Sequence, residues 1–221
     1  MITLHHVAFS RSFRILWLLE ELALPFEVKA YSIRDGSLRD PAFLKLSPAG
    51  RVPALEMEGQ VLFESAAITQ ILCERAGDSL APALAPAPGD QERARYLEAL
   101  GYAETMAGLI EQLNIQHVFL RDPAQASPVV IKLITARLAA SLRGLEAILE
   151  HDFILPSGFS AADTMMGFNL FAAPYFVALD PFPRVRAYRA RLEARPGFRR
   201  ARKRDGPQEF YSRDFYPIPE G

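Results

Sequence analysis

Three short groups in the first third of the chain hold residues whose types and spacing could do chemistry together. Ser10 and Ser12 open SRSFRILWLLEEL (10–22), Arg51-Val52-Pro53 lies in AGRVPAL (49–55), and Glu64-Ser65 lies in FESAAI (63–68). The first group opens a helix. A helix's first turn has unpaired N–H groups and a partial positive charge, so an anion placed there is stabilised. A thiol with a pKa of ~8.5 is about 3% ionised at pH 7; lowering that pKa by two units makes it about three-quarters ionised, for roughly 2.7 kcal/mol. A serine hydroxyl donating to the sulfur adds to this without reacting. Two roles stay open for Ser10 and Ser12: donor to such a thiolate, or cap of the helix that follows.

The other two groups suit the rest of a small peptide ligand. An X-Pro bond entering a strand can be cis, which turns the preceding backbone outward. Val52 would then offer its N–H and C=O to a peptide, as a strand edge does. The Ser65 hydroxyl and neighbouring N–H groups at a second helix start suit a carboxylate, and Glu64 suits an amine. A ligand end bearing both is an α-amino-acid moiety. The plain alternative for Glu64-Ser65 is an N-cap with an acid near the positive helix end.

Other reactive residue types read as structural. Cys73 is the one cysteine, which excludes an intrachain disulfide and a multi-cysteine metal site. It sits in ILCER on a helix and reads as packed. His5 and His6 end a strand without metal-ligand spacing. Ser160 and Asp163 in FSAADTMMG (159–167) have the spacing of a capping box. Trp17 reads as packing, and His117 as a residue able to line a pocket.

These residues are positioned by a recognisable order of elements. Residues 2–5 are β-prone, a helix with Ile15, Leu16, Leu19 and Leu22 ends at Leu24-Pro25, and 26–31 reads as a second strand. A short helix spans about 42–46. Strands at 54–58 and 61–63 flank Gly59-Gln60, and a helix runs from about 64 to 75. The order predicts a small mixed sheet with helices over 1–77. Residues 78–90, with Pro82, Pro86 and Pro88, read as a linker. The remainder, 91–221, reads as all-helical. It has long apolar stripes over 91–121 (Leu97, Leu100, Met106, Leu109, Ile110, Leu113) and 129–150, shorter helices at 160–172 and 182–194, and a last one after Pro196. The aromatic tail 206–221 packs, roofs a cleft or stays mobile.

Bulk composition bounds the function. The 221 residues are 50% hydrophobic and 23% charged with a net charge of −1, enough for packed cores and no general advertisement for nucleic acid or membrane. Residues 184–204 hold ten Lys or Arg and one Glu, which leaves 15 basic and 25 acidic residues elsewhere, a net of −10. The run reads as a solvated helix face plus a helix C-terminus stabilised by cations, with steering of an anionic ligand as the alternative; no nucleic-acid motif accompanies it. The start MITLHHVAF lacks a basic, then long apolar, leader, and no stretch approaches the ~20 apolar residues of a membrane span. A cytoplasmic protein without membrane or nucleic-acid partners is expected.

The segments SRSFRILWLLEEL, GRVPAL, ESAAI and FSAADTMMG together resemble the cytosolic glutathione transferase family, in its serine-type bacterial and fungal group, over nearly the whole chain. The resemblance implies an α/β plus all-α architecture: an N-terminal thioredoxin-like domain (1–77), a linker (78–90) and an all-helical C-terminal domain (91–221). It implies glutathione as co-substrate and no metal. Ser10 would activate the thiol with Ser12 beside it. Val52 would pair with the cysteinyl backbone with Pro53 cis, Glu64 and Ser65 would hold the γ-glutamyl end, and Arg51 the glycyl carboxylate. Phe9, Phe13, Met106 and His117 would line a pocket between the domains for an apolar electrophile. The resemblance also implies a homodimer, the first domain of one subunit against the helices of the other, and a detoxifying activity. The alternatives are glutathione-dependent peroxide or disulfide reduction at the same site, and a non-catalytic binding protein. The thiol-activating turn holds no cysteine, which argues against exchange through a mixed disulfide.

Overall fold

The computed structural model describes residues 1–77 and 83–219 and divides the chain into two compact units. In the first, β1 (Ile2–His6) leads through α1 (Phe13–Glu21) to β2 (Phe26–Ala30), then α2 (Pro41–Leu44), β3 (Ala54–Met57), β4 (Gln60–Phe63) and α3 (Ser65–Ala76). The sheet order is β2-β1-β3-β4. The helical crossover makes β1 and β2 parallel, whereas β3 runs antiparallel to both β1 and β4. The tight turn between β3 and β4 uses Glu58 and Gly59, both at positive φ (53° and 77°), which matches the twist of a two-residue hairpin.

Helix α1 is buried almost all round: Phe13 through Leu19 have no more than 1% exposure. A stripe predicts one covered face. The second face is covered by α8 (Pro196–Asp205), which packs on α1. Phe198 sets its ring edge-on to Trp17 (5.2 Å) and Phe13 (5.8 Å). Arg195 donates twice to Glu21 at 2.9 Å, and Arg200 and Arg204 reach Glu20 at 2.8 and 2.9 Å. Beyond a solvated face and cations at a helix C-terminus, the basic run therefore pairs with the acidic end of α1. The domain reading needs the same correction. Glu193–Glu209 belongs with the first unit, so 91–221 is not one uninterrupted helical domain. Of the expected linker, 78–82 lie outside the described residues.

The second unit comprises Gln91–Leu192 and the tail from Phe210. Helix α4 (Arg93–Asn114) packs against α5 (Pro128–Ile148) and α6 (Ala161–Ala172), with α7 (Pro183–Ala194) following. The Asn169 amide donates to the Ala103 carbonyl at 2.8 Å, and the Tyr102 hydroxyl to that of Ser141 at 2.6 Å. The capping box forms: the Ser160 N–H donates to Asp163 Oδ2 at 2.7 Å. Asp163 also accepts from the Ile154 N–H (3.1 Å) and the Tyr188 hydroxyl (2.7 Å). Burial raises the Asp163 carboxyl above its ordinary range, and these donors oppose that shift. Leu97, expected in the α4 stripe, is instead 47% exposed. Helix α4 continues as a π-helical turn, Ile115–Phe119. Against it the tail closes an aromatic cluster, Tyr211 stacking on Tyr175 at 3.8 Å and Tyr216 lying 5.3 Å from His117. Among the described residues no helix is long and apolar enough to cross a membrane.

Candidate active site

The loop before β3 and the start of α3 face one another across a cleft in the first unit. The cleft is lined by Arg51, Val52, Pro53, Phe63, Glu64 and Ser65, with Arg11 and Ser47 beside them. The structure thus brings together five of the residues read from the sequence. The loop is set locally: Gly50 at φ 63° donates to the Ser47 carbonyl at 2.8 Å, and the Arg51 N–H donates to Ser47 Oγ at 3.2 Å. A side chain at Gly50 would meet the Leu38 carbonyl at 3.0 Å. The Val52-Pro53 bond is cis.

Glu64 takes φ 74°, ψ 113°, a conformation that a side chain disfavours. It makes no side-chain cap, so the plain N-cap reading does not describe it. Ser65 is 3% exposed and accepts from Nη1 of Arg14, a fully buried arginine on α1, at 2.9 Å. Arg11, Arg14 and Arg51 bring positive charge to this cleft. Chemically, Glu64 suits an amine, the Ser65 hydroxyl a carboxylate, and the surface cations a second carboxylate.

A second hydrogen-bonded group lies at the mouth of α1. Ser12 stands at the N-cap position, yet its backbone is helical and its side chain caps nothing, contrary to the capping alternative. Ser12 Oγ lies 2.7 Å from His6 Nδ1 and 2.8 Å from Ser10 Oγ, and accepts from the Val7 N–H at 3.2 Å. Ser10 Oγ accepts from the Ser12 N–H at 3.3 Å. On the other side of the imidazole, His6 Nε2 lies 3.1 Å from Asp205 Oδ1 and 3.2 Å from the Asp205 carbonyl. Asp205, on α8, also accepts from the Phe9 N–H at 3.1 Å and pairs with Arg202. Ser12, His6 and Asp205 are buried, whereas Ser10 is half-buried.

Of the four residues expected in an electrophile pocket, Phe9 and His117 are partly exposed and Phe13 and Met106 are buried. Phe9 is half-buried, at φ 57°, with the Arg202 guanidinium 5.6 Å from its ring centre. His117 stacks on Phe176 at 5.7 Å; burial lowers its pKa, helped by Arg213. Phe13 and Met106 depart from the expectation: at 1% and 0% exposure they are core residues, because helical periodicity turns each toward its own unit's interior. Sequence reasoning missed Arg11, Arg14 and Ser47, whose spacing carries no signal by itself. It also missed His6 and Asp205, which only folding brings together.

Comparison with known proteins places this geometry. The model of the glutathione S-transferase N-terminal domain matches residues 1–73. Glutathione S-transferase 3 of Schizosaccharomyces pombe is 32% identical over 215 residues, covering 90% of this chain and 86% of that one. Maleylacetoacetate isomerase of Pseudomonas aeruginosa is 32% identical over 181 residues, covering 79% and 82%. The crystal structure of a glutathione S-transferase from Actinobacillus pleuropneumoniae superposes with a TM-score of 0.76 at 27% identity, covering 93% of each chain. With a family model matching its N-terminal third and relatives matched over most of their length, the chain belongs to the glutathione S-transferase family.

Proposed function

We propose that this glutathione transferase binds glutathione in the cleft of the first unit and directs its thiolate at an apolar electrophile. The observation that carries this reading is the convergence of Arg51, Val52, Glu64 and Ser65 on one cleft, backed by the buried Arg14. In the Mechanism this supports, Glu64 and Ser65 hold the γ-glutamyl end, Val52 pairs with the cysteinyl backbone, and Arg51 meets the glycyl carboxylate. Ser10 faces the sulfur. Sulfur attacks carbon, the leaving group departs with its electron pair, and the protein forms no covalent bond. Catalysis consists of holding the tripeptide and keeping its sulfur ionised.

The test is retention on immobilised glutathione followed by conjugation of a chlorinated nitroarene, read by absorbance. Retention with turnover is expected. Retention without turnover would move the protein to the binding class, and absence of retention would overturn the reading. Ser65→Ala is expected to weaken glutathione binding about tenfold, the value of one lost hydrogen bond to a charged group. Unchanged retention would remove that contact.

The identity to a maleylacetoacetate isomerase favours one second reading, isomerisation of an unsaturated diacid at the same site. Turnover of maleylacetoacetate above that of the nitroarene would select it. The proposed assembly is a homodimer. Exposed apolar side chains on the first unit (Val61 and Phe63 on β4) and on the second (Leu97 on α4, Val129 and Leu133 on α5) support it. Light scattering at micromolar concentration is expected to give twice the 24.6 kDa chain mass.

A further inference from the structure

We infer that His6, held by Asp205, is the proton acceptor for the glutathione thiol, reached through Ser12 and Ser10. The inference rests on the proposed placement of the sulfur at Ser10. The hydrogen-bond directions follow from what each atom can do. Both groups facing His6 Nε2, the Asp205 carboxylate and the Asp205 carbonyl, only accept. Nε2 therefore carries the hydrogen of the neutral ring, and Nδ1 is left as an acceptor. Ser12 Oγ, 2.7 Å away, donates to it in preference to the Val7 carbonyl, which lies farther off at 3.2 Å. With its hydrogen committed, Ser12 accepts from Ser10 Oγ at 2.8 Å. Ser10 in turn has lone pairs to offer and no hydrogen for a thiolate. Neutral His6 thus presets Ser10 to accept the thiol proton.

Transfer reverses the chain. The S–H proton moves to Ser10 Oγ, the Ser10 proton to Ser12 Oγ, and the Ser12 proton to His6 Nδ1. Each hydroxyl ends neutral, the sulfur becomes a thiolate, and His6 becomes an imidazolium beside the Asp205 carboxylate. Every hydroxyl now points outward, and Ser10 donates to the sulfur it deprotonated. The Val7 N–H, donating to Ser12 at 3.2 Å, and the Ser12 N–H, donating to Ser10 at 3.3 Å, hold the two oxygens in line throughout. Ser12, His6 and Asp205 are 0%, 2% and 3% exposed, so water does not compete at the inner end of the path. The charged group facing His6 is Asp205 on α8, itself paired with Arg202. His5 lies on the opposite face of β1 with Glu56 and Tyr31. His6 and Asp205 are positioning residues: neither touches the substrate.

The test follows the imidazole nitrogens of the ¹⁵N-histidine-labelled protein by NMR at pH 7.5. Glutathione is expected to move both His6 nitrogens to imidazolium positions, whereas S-methylglutathione, which has no thiol proton, leaves the neutral Nε2–H form. His6→Asn is expected to raise the pH at which the bound thiol ionises, read by thiolate ultraviolet absorbance, by about one unit. That variant should lower kcat about tenfold at pH 6.5 with KM for glutathione unchanged, and Asp205→Asn should move both in the same direction. A His6 ring that stays neutral when glutathione binds and its thiol ionises overturns the relay alone. Absence of glutathione binding overturns the relay together with the function on which it rests. If His6→Asn does not fold, the labelled wild-type spectrum decides by itself.

Discussion

Ser10 is the residue whose surroundings differ most from a simple helix-start serine. Its half-buried hydroxyl joins Ser12 Oγ at 2.8 Å and also accepts from the Ser12 N–H at 3.3 Å. Removing a group aimed at developing charge costs a rate factor of about 100. Ser10→Ala is expected to lower kcat by that order with glutathione retention preserved; turnover within a few-fold of wild type would assign activation to the backbone N–H groups. At the same scale, His117 links tail docking to pH. Burial lowers its pKa from 6.5, so the folded chain holds the neutral ring where the unfolded chain would already be protonated. The stability it contributes is complete above pH 6.5 and is lost as pH falls toward the lower folded value. As pH falls below 6.5, the melting temperature of His117→Phe is expected to fall less steeply than that of the wild type.

At the scale of elements, two helix starts and one helix pair govern stability. The α6 start concentrates the Ser160 N–H and hydroxyl, the Ile154 N–H and the Tyr188 hydroxyl on one carboxylate. Asp163→Ala strands these donors in the interior and is expected to cost about 3 kcal/mol in chemical denaturation, without changing glutathione affinity in the protein that remains folded. The α1–α8 contact sets a different balance at Gly197. Alanine there gains up to about 1 kcal/mol of helix propensity. Its methyl, however, would lie 2.5 Å from the Glu21 carboxyl carbon, and that carboxylate is held by Arg195 and by the Trp17 indole N–H at 2.8 Å. The carboxylate cannot swing aside without breaking these bonds. Gly197→Ala is therefore expected to destabilise by about 1–3 kcal/mol, measurable in urea. The strained Glu64 backbone opening α3 belongs to the same class of local cost, here placed where a ligand amine would sit.

For the whole molecule, the chain does not divide at a single cut. Residues 193–209 return to the first unit, so that unit is completed by sequence far from its own. Truncation after Leu192 would strip Phe198 and three arginines from α1 and expose Trp17, the one tryptophan and fully buried. Its fluorescence is expected to shift to the red in the truncated chain, and glutathione retention to be lost. An unshifted spectrum would show that the sheet and α3 suffice to fold the first unit.

Local residue patterns suffice for the elements and for most of the cleft. Alternation and helical spacing are local, so β1 to β4 and α3 are legible to within a residue or two, and α1 to within about three at its C-terminal end. Val52, Pro53, Glu64 and Ser65 were legible because turn and helix-start chemistry is written in adjacent residues. The tertiary structure alone decided what α1 buries, since one helix's pattern cannot say that a second helix covers its other face. It alone decided that Ser12 turns inward, because its partner His6 lies on β1 and that partner's partner, Asp205, lies nearly 200 residues away. Hydrogen bonds and ion pairs act over about 3 Å of space, whatever the distance along the chain, and only folding converts one into the other.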